Sequence, residues 1–256
     1  MTPTTTTAEP LPIFPELAGT RRFTPAEYRH LCEADILGPY DKVELLDGYV
    51  MYKADYPELQ QAHSAFPEWR ALRPWTADEY CRMIEVGVIK PDERLELLDG
   101  YLVLKMPQNL PHRSAVSRLT TRLAPRLPVA WWLQTQYPIS AGIGTPEPDG
   151  VILRGSDANY DARVPVAADF GIVIEVSDST LVLDRSGKGR LYARAGIPVY
   201  WIVNVVDRQI EVYADPDATA NPPTYATRTD YAVGDAVPVV LDGQQVATIP
   251  VADLIA

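Results

Sequence analysis

The chain has 256 residues, of which 46% are hydrophobic, so it can bury one full-sized core with a small appendage. Its net charge of −11 argues against a protein that coats nucleic acid non-specifically, because neutralising phosphates requires lysine and arginine. The charge does not exclude an enzyme acting on phosphodiesters, since such a site needs carboxylates for a metal ion and only a local basic rim.

The first 20 residues predict a disordered lead-in, because they lack the basic start and apolar block of a signal peptide. No apolar run approaches the roughly 20 residues of a membrane span, so we expect no membrane contact. The two cysteines, Cys32 and Cys81, both fall within predicted helices. Without a targeting segment, they are expected to be reduced thiols of a cytoplasmic protein.

An internal repeat with an offset of 52 residues comes next. The stretch KVELLDGYVMYK at 42–53 recurs as RLELLDGYLVLK at 94–105. Upstream of each stretch, Thr24 and Thr76 are each followed three residues later by glutamate, which predicts a capping box at a helix start. The Asp-Gly pair within each stretch predicts a two-residue type I′ turn. Each copy is therefore predicted to be a helix followed by a tight hairpin, with residues 54–73 as a linker.

The second copy continues into a pattern typical of an α/β domain. A helix is predicted at 112–127 and another at 182–196, with strands at 130–140, 147–155 and 169–180. Residues 199–214 read as a buried strand, a turn and an edge strand, and the last forty residues as small strands and turns that cover an edge of the sheet. This order predicts a mixed β-sheet flanked by helices.

Three residues of this domain combine into a candidate metal site. Asp149 lies at the entry to one strand, and Glu175 lies within an apolar run, where a carboxylate is costly unless it binds a cation or a partner. Lys188 follows on the next helix, and Asp184 and Tyr192 at i−4 and i+4 share its helical face. Two carboxylates from adjacent strands suit Mg²⁺ or Mn²⁺, which prefer oxygen ligands.

These residue types match the requirements of phosphodiester hydrolysis. A divalent ion polarises the phosphodiester and lowers the pKa of a bound water into the nucleophilic range. A lysine beside the ion orients that water or stabilises the charge that grows on the phosphorane.

Each of these residues also has a purely structural interpretation. Glu175 can be a buried carboxylate paired with Lys188 or Arg190, since ion pairs also occupy cores. Asp149 belongs to a Pro-Asp pair, an ordinary turn dipeptide, and another such pair at 91–92 is predicted to be a turn only. A lysine such as Lys188 is more often a solvated helix residue.

The motifs ELLDG at 96–100, EPDGVIL at 147–153 and IEVSDST…YARAGIPVYWIV at 174–203 resemble the Uma-two family, a branch of the PD-(D/E)XK nuclease superfamily of restriction endonucleases. The resemblance runs from about residue 75 to residue 213. It implies a restriction-endonuclease-like fold in which Asp149 and Glu175 hold the metal ion.

The catalytic lysine of the superfamily does not match in place. Ser177 occupies its usual position, and the resemblance points to Lys188 on the following helix. Gly187 and Gly189 flank Lys188 and weaken that helix by roughly 1 kcal/mol each.

Further pocket residues are implied by the same resemblance. It marks Glu96 as an additional metal ligand, His112 as a pocket residue, and Asp184 and Tyr192 as supporting residues. On the structural interpretation, Glu96 is the outward residue of a hairpin strand and His112 is bonded to backbone at a helix N-terminus. His63 in QAHSA echoes His112 in PHRSA, but the first copy has no counterpart of the metal carboxylates.

Two functional hypotheses follow from the sequence. The first is a Mg²⁺- or Mn²⁺-dependent endonuclease acting on DNA, with residues 74–256 as the enzyme domain, residues 1–73 as an accessory layer and a homodimer as a plausible assembly. The second is a nuclease-fold module with negligible turnover that binds nucleic acid or protein. RNA or branched DNA is the remaining choice of substrate.

Overall fold

Two helix–hairpin units open the described part of the chain, which comprises residues 19–56, 59, 69–141 and 146–255 of a computed structural model. The first unit consists of helix α1, Pro25–Glu33, and a hairpin of β1, Val43–Leu46, and β2, Tyr49–Tyr52. The second consists of α2, Ala77–Glu85, and a hairpin of β3, Leu95–Leu98, and β4, Tyr101–Leu104. His63 and most of the predicted linker lie outside the described residues.

The local signals of the repeat are confirmed in both units. Thr24 and Thr76 each accept a hydrogen bond at the side-chain oxygen from a backbone N–H three residues later, and the carboxylate of the glutamate there accepts one from the threonine N–H. In the second hairpin, Asp99 and Gly100 have φ values of 51° and 87°, both in the left-handed region that a type I′ turn requires. The spacing of threonine, glutamate and Asp-Gly therefore determines this part of the fold.

A six-stranded mixed sheet forms the centre of the remaining chain. Its spatial order is β10-β9-β8-β7-β6-β5, and the pair β7–β8 is parallel while the other pairs are antiparallel. All eight residues of β7 are buried, as its near-continuous apolar sequence predicts. The strands are β5 Trp131–Gln134, β6 Gly150–Arg154, β7 Phe170–Ser177, β8 Val199–Asn204, β9 Gln209–Asp217 and β10 Thr224–Ala232.

Helices cover both faces of the sheet. Helix α3, Leu110–Arg118, continues through a π-helical turn, Leu119–Leu123, and a 3₁₀ turn, Ala124–Arg126. The crossover from β7 to β8 consists of α4, Leu181–Leu183, a π-helical turn, Asp184–Lys188, and α5, Gly189–Arg194. Apolar side chains pack between each of these segments and the sheet. No helix in the described ranges is long and apolar enough to cross a membrane.

Three apolar clusters form the core. On the front face of the sheet, which carries Val173, the crossover helices and both hairpins contribute Leu191, Tyr192, Met51 and Tyr101. On the back face, α3 and the C-terminal segment pack against the residues of the same strands that point the other way, such as Ile172 and Ile174. A third cluster lies between the two helix–hairpin units, so these units share a core.

Some expectations about the periphery are wrong. Strand β9 is not an edge strand, because β10 pairs with it along the full length and forms the edge instead. Within the last forty residues, β10 covers the sheet edge as predicted. The C-terminal hairpin of β11, Ala236–Leu241, and β12, Gln244–Pro250, with α6, Val251–Leu254, instead packs across the back face. Residues 19 and 20 of the predicted lead-in are paired with β4.

The turn of the second hairpin provides a test of the packing. A Cβ at Gly100 would lie 2.7 Å from Pro74 Cβ, whereas at Gly196, also in the left-handed region with φ of 72°, it would meet nothing within 4 Å. We expect Gly196→Ala to lower the free energy of unfolding by about 1 to 2 kcal/mol, the cost of a left-handed alanine. Gly100→Ala should cost about 1 to 3 kcal/mol more, because the methyl group overpacks the contact with Pro74.

Urea-induced unfolding of the two variants measures this difference. Equal losses of stability would contradict the close approach of the hairpin turn to Pro74.

Candidate active site

The pairing of β6 with β7 brings two acidic residues to one place. Gly150 pairs with Ile174, so the next position along each strand sets Asp149 opposite Glu175. Asp149 Oδ2 accepts a hydrogen bond of 2.9 Å from the Val176 N–H. Both carboxylates line one cavity of about 470 Å³, so residues 26 positions apart in the chain face the same space.

Lys188 reaches this cavity from the crossover helix. Its Nζ lies 3.0 Å from Glu175 Oε1, 3.7 Å from Asp184 Oδ1 and 4.0 Å from Glu96 Oε2. The lysine is 9% exposed, which rules out a solvated helix lysine. It ends the π-helical turn, and such turns occur frequently at functional sites.

Charge and burial shift the ionisation of this cluster. Burial raises the pKa of Glu175 to about 8, Lys188 opposes that rise, and the charge of Asp149 adds to it. Burial alone would lower the pKa of Lys188, but Glu175, Glu96 and Asp184 raise it well above its usual value. The lysine therefore remains a cation in contact with three acidic side chains.

Glu96 and His112 enter the cavity from other elements. Glu96 is 8% exposed on β3, and its Oε1 accepts a hydrogen bond of 2.9 Å from the Glu147 N–H, so it is not an outward hairpin residue. His112 begins α3, where its N–H is bonded to the Asn109 side chain. Its Nε2 lies 3.1 Å from Asp149 Oδ2, so the ring also contacts the acidic pair.

Asp184 and Tyr192 lie behind the cavity, next to Lys188 and Glu175. The Tyr192 hydroxyl donates a hydrogen bond of 2.6 Å to Glu175 Oε1. Burial and the charge of Glu175 raise the pKa of Tyr192 well above its usual value, which keeps this hydroxyl protonated. Asp184 Oδ2 accepts a bond of 2.6 Å from the Thr180 hydroxyl, which leaves Oδ1 towards the lysine.

Comparisons with known proteins identify the family and support the fold. Residues 77–247 match the Uma2 family, which is described as "Putative restriction endonuclease". The chain belongs to the Uma2 family. A comparison with curated proteins gives no match.

The fold also resembles a solved structure, a protein from Anabaena variabilis ATCC 29413 described as a "putative nuclease belonging to DUF820". The TM-score is 0.51 and the sequence identity is 15%, over 71% of this chain and 97% of that one. At this identity the likeness shows the nuclease-type fold alone. The Uma2 match begins at residue 77, after the first helix–hairpin unit.

The donor chemistry of this Uma2 chain fits a hard divalent cation. Oδ1 of Asp149 and Oε2 of Glu175 have no hydrogen-bond partner among the described residues. In that part of the chain, no three His, Cys, Asp or Glu side chains are close enough to form a ready-made metal site. Mg²⁺ does not need such a set, since one or two carboxylates and several waters usually hold it.

Two contacts that hold the site together were not predicted from the sequence. Arg194 at the end of α5 forms a two-point ion pair with buried Asp99 in the hairpin turn. Asn109 contacts Asp178 beside the cavity. The equivalent residue of the first unit, Asp47, pairs instead with Arg22 of its own unit, so the two turns differ in their partners.

A second buried carboxylate fixes the π-helical turn that carries Lys188. Glu211 on β9 is fully buried and accepts hydrogen bonds of 2.9 and 2.5 Å from the guanidinium of Arg185. Asn204 and Tyr213 also donate to it, at 3.0 and 2.8 Å. Burial alone would raise the pKa of Glu211, but these donors outweigh it and lower the pKa to about 2.

Glu211 therefore makes stability depend on pH. Because the folded pKa lies below the value of about 4.3 for an unfolded glutamate, its contribution is present above that value and is lost as pH falls towards 2. We expect Glu211→Gln to lower the free energy of unfolding at pH 7 by about 3 kcal/mol, the low end for a broken buried pair because Arg185 is partly exposed.

Denaturant unfolding from pH 6 to pH 2.5 measures this contribution. The variant should lose less stability than the wild type over that range, with Asp161→Asn, at an exposed position outside the sheet, as control. Parallel curves for wild type and Glu211→Gln would show that the carboxylate does not carry the effect.

Proposed function

We propose that this Uma2 protein is a divalent-metal-dependent endonuclease that hydrolyses DNA phosphodiester bonds. The observation that carries the proposal is the meeting of Asp149, Glu175 and Lys188 at one cavity, from two adjacent strands and the crossover helix. Pro-Asp, glutamate and lysine are the residues that the superfamily resemblance requires, and the family match supports the nuclease assignment.

Each side chain has a role in this proposal. Asp149 and Glu175 hold the cation, Mg²⁺ or Mn²⁺, and Glu96 on β3 lines the same cavity as a further candidate ligand. When bound, the cation polarises the phosphodiester and lowers the pKa of the attacking water. Tyr192 and the Val176 N–H orient the two carboxylates by donating to one oxygen of each.

Lys188 acts on the substrate side of the cluster. Its pKa is raised, so it remains an ammonium group and stabilises negative charge on the phosphorane rather than taking up a proton. His112 contacts Oδ2 of Asp149, the oxygen that also accepts the Val176 N–H, and so helps to orient this carboxylate. Asp184 keeps the lysine charged and directed to the cavity.

Substrate and context belong to the same proposal. Arg94 is exposed at the cavity and supplies positive charge for a phosphate backbone, although the whole chain is acidic. Lys105, at the same cavity, is paired with Glu147 at 2.6 Å. Double-stranded DNA is the proposed substrate, RNA or branched DNA being the alternatives. The exposed, free thiols of Cys32 and Cys81 are compatible with the proposed cytoplasmic location.

The metal-binding role of the Pro-Asp carboxylate can be tested against a matched residue. Asp149→Asn should abolish Mn²⁺ binding in calorimetry and lower plasmid cleavage in Mg²⁺ or Mn²⁺ at least about 100-fold, because the amide oxygen is a weaker ligand and loses the charge. Asp92→Asn changes the same dipeptide in an exposed turn and should leave both measurements unchanged.

Glu175→Ala is the second variant in this experiment. Cleavage that persists in Glu175→Ala would assign the activity to a different protein in the preparation. A wild-type chain that neither binds Mn²⁺ nor cleaves DNA would overturn the nuclease proposal in favour of a binding module.

The role of the lysine predicts a different pattern. Lys188→Met should lower the cleavage rate by about 10²- to 10³-fold, because a preorganised charge at the transition state is lost. KM for DNA should change little, since the buried ammonium contributes little to ground-state binding. Steady-state cleavage of a labelled duplex measures both, with the exposed Lys90→Met as control; a rise in KM alone would contradict this role.

A further inference from the structure

The two helix–hairpin units exchange their leading segments. Residues 19–21, here called the arm, pair with β4: the Arg21 N–H donates to the Leu102 carbonyl at 2.7 Å, and the Leu104 N–H donates to the Gly19 carbonyl at 2.7 Å. Each hairpin thereby gains a third strand from the other unit. Residues 71–73 make the equivalent pairing with β2.

The equivalence is exact in sequence offset. The Arg73 N–H donates to the Val50 carbonyl at 2.9 Å, and the Tyr52 N–H donates to the Ala71 carbonyl at 2.9 Å. Every one of these residues lies 52 positions from its counterpart in the first exchange. Reciprocal contacts of this kind characterise a two-fold interface between identical subunits, and here they occur within one chain.

Buried arginines repeat the same exchange at the side-chain level. Arg21 bonds to Glu27 of its own unit at 2.9 Å and to Glu93 of the second unit at 2.7 Å. Arg73 bonds to Glu79 of its own unit at 2.6 Å and reaches Asp41 of the first unit at 3.3 Å. The guanidinium groups also lie 4.5 Å from the ring centroids of the equivalent Phe23 and Trp75.

The symmetry ends at the cavity. The hairpin that receives the arm carries Glu96, which pairs with Val103, and Val103 in turn bridges to Thr20 of the arm. Glu93, the partner of Arg21, lines the cavity, whereas Asp41, the partner of Arg73, does not. Only one of the two exchanged segments therefore supports a strand of the candidate site.

We propose that the first helix–hairpin unit is a built-in partner that completes the site: its arm and Arg21 hold the β3–β4 hairpin so that Glu96 faces the cation. This inference rests on the proposed metal-dependent function. It makes Arg21, which lies outside the Uma2 match, a positioning residue. It also means that residues 19–56 of the same chain cover the surface of the second unit that a second copy would cover in a two-fold dimer.

The internal symmetry supplies the control for the test. Arg21→Met and Arg73→Met each remove one buried guanidinium with an own-unit and a cross-unit carboxylate, so their effects on overall stability should be similar. Mn²⁺ affinity, measured by calorimetry, should fall about tenfold or more in Arg21→Met and stay within about twofold of wild type in Arg73→Met.

Amide hydrogen exchange provides a second readout that does not depend on activity. In Arg21→Met, exchange should accelerate at Leu104, which donates to the arm, relative to Tyr52; in Arg73→Met the order should reverse. If either arginine variant fails to fold, Glu93→Gln and Asp41→Asn form a milder matched pair, because each keeps its size and loses only its charge.

The outcomes separate the two proposals. If the wild type binds Mn²⁺ and the paired variants lose affinity equally or not at all, the positioning role is overturned and the nuclease proposal stands. If the wild type binds no Mn²⁺, the proposed function fails and the inference fails with it.

Discussion

The structure depends on the burial of a carboxylate, Glu175, in the most enclosed strand of the sheet. Removing an ionised group from water is costly unless other groups compensate for the lost hydration. Here Lys188 at 3.0 Å and the Tyr192 hydroxyl at 2.6 Å provide that compensation at a single oxygen. The other oxygen is left without a protein partner among the described residues, so the compensation is incomplete in a way that favours a cation.

The same constraint explains the shape of the crossover between β7 and β8. A lysine on the crossover helix can reach Glu175 only if its backbone lies at a suitable distance from β7 and its side chain points towards that strand. The π-helical turn at Asp184–Lys188 places that residue, and Arg185 within the turn is bonded to the buried Glu211 of β9. The sheet therefore fixes the lysine twice, through Glu175 on β7 and through Glu211 two strands away, because β8 lies between them.

The hairpin of the second unit is held in a comparable manner. Its turn is bonded to α5 through Asp99 and Arg194, and its outer strand is paired with the arm. These contacts come from segments far apart in the chain, yet both act on the element that carries Glu96. A short two-stranded hairpin is marginally stable alone, so its geometry has to be supplied by neighbours. The repeat provides one of those neighbours from within the chain.

Local signals in the sequence were sufficient for the elements but not for all their partners. Capping boxes, Asp-Gly turns and the apolar β7 each depend on a few adjacent residues, and the structure has them as predicted. Strand β10 was predicted only as one of several small strands that cover the sheet edge, because its side chains are mostly exposed and polar and form no apolar pattern. An edge strand is determined mainly by its backbone hydrogen bonds to the neighbouring strand, and these bonds constrain its side-chain composition only weakly.

The candidate site shows the same division. Glu175 stood out because a charge within an apolar strand violates the surrounding pattern, whereas Asp149, in an ordinary Pro-Asp pair, became a candidate only together with Glu175 and the family resemblance. The pairing of β6 with β7 brings the two residues together. The position of Lys188 required the family resemblance, since Ser177 stands in the usual place and lysines are common on helix surfaces. The arm left no local signal, because its partner strand lies about 80 residues away. Its trace was the recurrence of a buried arginine and its glutamate at the offset of the repeat, Arg21 with Glu27 and Arg73 with Glu79. A charged residue that is preserved between two diverged copies needs a partner in each, and a partner in the opposite copy is what joins the two units.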